Sequence, residues 1–84
     1  MNEMMIKQMN NFDTTEFAPF NEMLCDEIGA YVHTVATMRH YAKHLNDVER
    51  HARYDELHTH AVAHMTHMYF DNIAQTFEYV IENY

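Results

Sequence analysis

The stretch "LNDVER", Leu45–Arg50, decides the fold. Helical periodicity runs on both sides of it. If it turns, the chain is a hairpin; if it does not, the chain is a single rod. Neither Gly nor Pro punctuates it. Asn46 and Glu49 have the spacing of a capping box, and Asp47 is an alternative N-cap, because a short side-chain oxygen can accept from N–H groups of the first helical turn. Asn46 can equally end the helix before it. A rod would need an equally long partner to cover its apolar face, so a turn at Asn46–Asp47 is expected.

Upstream, Leu24, Ile28, Tyr31, Val35, Met38, Ala42 and Leu45 repeat at alternating steps of four and three. This is a heptad seam, with Phe17 in phase before it. It predicts a first long helix over 19–45, with Pro19 in the first turn, where its missing N–H costs nothing. Gly29 interrupts the seam and suggests a close helix approach. Downstream, Val62, Met65, Tyr69, Ile73, Phe77, Val80 and Tyr84 form a stripe that Leu57, Ala61 and Met68 widen on one side. It predicts a second long helix over 47–83. Met1, Met5, Met9 and Phe12 share a face and predict a short N-terminal helix over 1–12. The cap-type residues Asp13, Thr14 and Thr15 mark the break that follows it.

Eighty-four residues make one domain. One Gly, one Pro and no Ser leave little material for turns, and the apolar fraction of 48% suffices for a core. The fold class is all-α: an antiparallel helical hairpin with a short N-terminal helix. Two helices alone leave much of each stripe wet, so the hairpin is expected to dimerise into a helical bundle. The seam Leu24, Ile28, Tyr31, Val35, Met38 and Leu45 would serve the core or the dimer. Cys25 is the single cysteine, so no internal disulfide forms and oxidising export is not implied. No apolar run approaches the roughly 18 residues of a membrane span. A cytoplasmic protein that does not engage membranes is the expectation.

The formal net charge is −8. Direct nucleic-acid binding by the whole surface is therefore not expected. Protonating all eight His would bring the charge to zero, and imidazoles as a class titrate near about pH 6.5. The charge is also unevenly placed. Arg39, Lys43, Arg50 and Arg53 stand within one window with only Asp47 and Glu49, whereas the rest of the chain has Lys7 against eleven acids. A hairpin would have a basic tip and an acidic far end. The basic tip could be helix-terminus chemistry, since cations suit a helix C-terminus, or a groove that receives the acidic end of a polar molecule.

The stretch "HTHAVAHMTH", His58–His67, sets four His in ten residues. His60, His64, His67 and Asp71 lie within a narrow arc at about 100° per residue. Two His at i and i+4 can share a Zn²⁺, so these four are the candidate metal ligands, with His60 and His64 as the central pair. No Glu follows His60 as a zincin motif requires, and no Cys is near. The plain alternative is a solvated helix face without cofactor. His40 and His44 form a second such pair on another surface face, and one of His51 and His58 is expected to be partly buried.

Catalytic constellations are missing from the pattern. There is no Ser, Cys25 and His33 are two turns apart, and one Gly cannot build a phosphate-cradling loop. No enzyme activity is expected. Six Tyr and five Phe are ample for so short a chain, and exposed Tyr beside acids suits a protein-binding surface. The candidate partner-binding residues are Glu22, Asp26 and Glu27 on the first long helix and Glu78, Tyr79 and Glu82 on the second. In size and charge the chain resembles small acidic phage-encoded modulators that block a host protein, a resemblance of class that covers no motif. It implies an inhibitor occupying the basic surface of a nucleic-acid-handling host protein, in the host cytoplasm. A His-rich metal-binding or pH-responsive protein and a structural homo-oligomer subunit are the other readings.

Overall fold

The computed structural model describes residues 2–83, with side chains over 2–72, 74 and 75. The chain is all-helical. Helix α1 spans Asn2–Thr14, a single 3₁₀ turn spans Phe20–Glu22, α2 spans Cys25–His44 and α3 spans Val48–Asn83. Helices α2 and α3 form an antiparallel hairpin, and α1 packs against its tip half. Among the described residues no helix is long and apolar enough to cross a membrane.

The turn between α2 and α3 is made by Leu45, Asn46 and Asp47. Asn46 adopts φ 57°, a left-handed backbone. Its N–H donates to the Lys43 carbonyl at 3.2 Å, and the Asp47 N–H donates to the Ala42 carbonyl at 2.9 Å. This pair of bonds is a Schellman motif, which satisfies carbonyls that the end of α2 would leave open. Asp47 then begins the next helix. Its Oδ1 accepts from the Arg50 N–H at 3.2 Å, and its carbonyl accepts from the His51 N–H at 2.9 Å. Asp47 is thus the N-cap, and Asn46 ends the helix before it.

Core packing follows the heptad seam of α2. Ile28, Tyr31, Val35, Met38 and Ala42 are buried, and Leu45 packs at the edge. From α3 the matching line is Tyr54, Leu57, Ala61, Met65 and Met68. The sequence-based stripe through Val62 and Tyr69 lies to one side of this line: Val62 is half-buried and Tyr69 is 64% exposed. Residues read as the margin of that stripe are its centre, because α2 covers one seam only and approaches from the Ala61 side. Met9 and Phe12 of α1 complete the core, and Met5 is half-buried. Met1 and Tyr84 fall outside the described residues, as do the side chains of Ile73, Phe77 and Val80.

The first long helix begins at Cys25 and not at Pro19. Pro19 and Met23 are extended, with ψ 148° and 139°, on either side of the 3₁₀ turn. Aromatic packing on Tyr31 accounts for the break. The Phe17 and Phe20 rings lie 5.0 and 5.4 Å from the Tyr31 ring. In an unbroken helix Phe20 and Tyr31 would be separated by roughly 16 Å along the axis. The linker instead folds back, buries Met23 and leaves Leu24 66% exposed at the start of α2. Leu24 is therefore not part of the buried seam. Gly29 is no close-approach site either, since a Cβ built there meets nothing within 4 Å.

Helix α3 has 36 residues and α2 has 20. Asn72 donates to the Cys25 sulfur at 3.3 Å, which sets the start of α2 beside residue 72. The α3 backbone continues beyond that point for roughly 16 Å, and the molecule measures 57 × 19 × 19 Å.

Candidate functional site

What the surface offers a partner depends on which charges are used internally. Asp13, at the end of α1, is a hub. Its Oδ1 accepts from the Tyr54 hydroxyl at 2.6 Å, and its Oδ2 accepts from Arg50 Nε at 3.0 Å and Arg53 Nη2 at 3.1 Å. Asn10 adds a second hydrogen-bond acceptor for Arg50, and Asp47 lies 3.6 Å from it. Helical spacing builds this cluster. Arg50, Arg53 and Tyr54 stand at i, i+3 and i+4 on one face of α3, and Asn10 and Asp13 at i and i+3 on α1.

The cluster has an apolar base. Tyr54 is fully buried, its ring is edge-on to Phe12 at 5.4 Å, and the Arg53 guanidinium lies 5.6 Å from its centroid. Burial first, then the hydrogen bond to Asp13 and the Asp13 charge, push the Tyr54 hydroxyl from its ordinary value up to about 12. Burial also raises the Tyr31 hydroxyl.

Arg39 is engaged in turn. Its Nη1 bonds Asp55 Oδ1 at 3.1 Å and lies 3.3 Å from His58 Nδ1. All three arginines are therefore bound to aspartates. The basic tip read from the sequence is largely neutralised by Asp13, Asp47 and Asp55. Ten of the thirteen acids stay outside these pairs, against Lys7 and Lys43. Eight of the ten have described side chains, and all eight are exposed.

Glu22, Asp26 and Glu27 are among those eight. Glu22 ends the 3₁₀ turn, and Asp26 and Glu27 sit in the first turn of α2, where the helix dipole stabilises acids. Asp26 Oδ1 accepts from the Glu27 N–H at 3.1 Å. The Asn72–Cys25 contact brings this acidic turn beside the second half of α3. The side chains of Glu78, Tyr79 and Glu82 lie outside the described residues. An apolar hollow of about 290 Å³ opens nearby between Met65, Thr66, Tyr69 and Phe70, with Tyr69 and Phe70 both more than 60% exposed.

The histidines of the candidate metal arc separate. His60 and His67 are exposed, and His67 Nε2 pairs with Asp71 Oδ2 at 3.3 Å. His64 is half-buried beneath Phe20, ring to ring at 5.9 Å. Among the described residues no three His, Cys, Asp or Glu side chains converge as a metal site would require. His51 and His58 are both half-buried, where one was expected.

Sequence reading missed the Asp13 hub. Asp13 read as a helix stop, and nothing local marks it as a long-range partner. The detectable signal was on α3, where Arg50, Arg53 and Tyr54 cluster on one face seven residues before Ala61. No protein-family model, curated protein or solved structure matches the chain.

Proposed function

We propose that this chain is a non-enzymatic acidic binding module that docks on, and blocks, the basic nucleic-acid-binding surface of a partner protein in the cytoplasm. One observation carries the reading. Every arginine is bound to an aspartate within the fold, so the surplus of exposed carboxylates is left to face outward. A surface of one sign steers encounter with a surface of the other and suppresses like-charged competitors such as nucleic acid. Glu22, Asp26 and Glu27 are the contact acids on α2, with Glu78, Glu82 and the aromatic Tyr79 on α3.

Dimerisation belongs to the same proposal. Helix α3 outruns α2, and a second copy would cover the hollow at Met65, Tyr69 and Phe70. A chain this short gains much from such added burial.

The test is charge reversal. The E22K/D26K/E27K variant keeps the core intact, since all three side chains are exposed. The wild type should retain a basic protein at low salt and release it to competing duplex DNA. The variant should retain none. Equal retention by both would sink the placement of the site.

A further inference from the structure

One flank of the hairpin keeps a cation unpaired among the described residues, Lys43, beside the Asp55-bound Arg39. A groove of about 430 Å³ runs between the last turns of α2 and the first turns of α3, lined by Ala36, Arg39, His40, Lys43, His51 and Asp55. Arg39 is tethered at Nη1 by Asp55 and His58. The side chains of His40, Lys43 and His51 make no hydrogen bond or ion pair among the described residues. Ala36 leaves room at the groove wall. We propose that this groove binds a small phosphate-class dianion, held by Arg39, His40, Lys43 and His51.

The chemistry favours this occupant. Arg39 and Lys43 stand one helical turn apart on the same face, so both reach one ligand. The Arg39–Asp55 bond holds the guanidinium in a fixed orientation, and preorganised donors are the stronger anion binders. The volume suits a small ligand. An extended polyanion would meet the surplus carboxylates beyond the groove, whereas a compact ion feels mainly charges within the screening length of about 10 Å. A free anion is therefore the ligand, and a nucleic-acid backbone is not.

Protonation should strengthen the site. The groups facing it are Arg39, His40 and Lys43 from α2 and His51, Asp55 and His58 from α3, with Asp47 beyond His51. Helix α1 packs elsewhere, through Asp13 and Asn10. A protonated imidazole adds a positive charge beside a bound anion. The expected gain for a bound dianion is about tenfold from two nearby charges in screened water.

The test is an amide chemical-shift titration with sodium sulfate at about pH 6 and about pH 8. Sulfate stays dianionic over that range, so any pH dependence belongs to the protein. Inorganic pyrophosphate serves as a second probe. Saturable shifts confined to residues near 36–55, about tenfold tighter at the lower pH, are expected. In H40Q/H51Q the pH dependence should fall to within about twofold, although six other His remain. K43Q should weaken binding and K43R restore it. Shifts spread over the whole chain, unsaturable binding, or full pH dependence in H40Q/H51Q would overturn the site. If a variant fails to fold, the wild-type residue map decides alone.

Discussion

Replacing Asp13 with Ala should be the most damaging single change outside the apolar core. The carboxylate takes one hydrogen bond from a fully buried Tyr54 and two from arginines, and its own side chain is 22% exposed. A hydrogen bond to a charged acceptor contributes about 1.5–3 kcal/mol. The half-buried Arg50 pair adds about 1 kcal/mol and the more exposed Arg53 pair less than about 0.5. D13A should therefore cost about 3 kcal/mol, a large share of the roughly 4–13 kcal/mol expected for a domain of this length. Urea unfolding followed by circular dichroism reads it directly. A thermal midpoint lower by roughly 12–24 °C is the matching expectation. Asp13 also pins α1, so protease should release the N-terminal segment first. In a double-mutant cycle, D13A and Y54F should be less than additive by about 1–2 kcal/mol. A D13A protein within about 0.5 kcal/mol of wild type would refute the hub as a source of stability.

N46G should be neutral or slightly stabilising, because Gly adopts the left-handed backbone freely, whereas N46A should cost about 1 kcal/mol in the same unfolding assay. G29A should stabilise by about 0.5–1 kcal/mol, since the site is helical and a Cβ meets open space; a loss would mean a contact at that face. Tyr54 has its folded value raised to about 12, so its contribution is complete below about pH 10 and is lost as pH rises toward 12. Y54F should flatten that alkaline decline, as spectroscopic titration against pH would show. Light scattering should give twice the monomer mass, falling to the monomer in Y69E/F70E and unchanged by EDTA; an EDTA-sensitive mass that H60A/H64A abolishes would favour the metal reading.

How much of this was legible depends on whether the signal is local. The α2 seam was readable because its heptad spacing is local, and Ile28, Tyr31, Val35 and Met38 bury on it as the heptad implies. The turn was readable from Asn46 and Asp47, although which residue capped which helix was not. Asn serves both ends, and only the Asp47 Oδ1 bond to the Arg50 N–H separates the roles. The start of α2 was misplaced because Pro19 fits a helix start locally. The competing pull is tertiary, from Phe17 and Phe20 onto Tyr31. Tyr54 escaped notice for a similar reason: Arg53, Asp55 and Glu56 surround it in sequence, and its burial depends on Phe12 and Asp13 from the far end of the chain. The acidic surplus was plain from composition, but that the arginines are taken up by aspartates needed the packing of α1.

The central claim is that the outward carboxylates dock on a basic surface. Its most direct measurement is quantitative capture by immobilised wild-type and E22K/D26K/E27K chains, in low and high salt, with and without competing duplex DNA. The account predicts a basic nucleic-acid-binding protein held by the wild type at low salt, displaced by salt and by DNA, and missing from the variant. A partner retained equally by both chains and indifferent to DNA would contradict it.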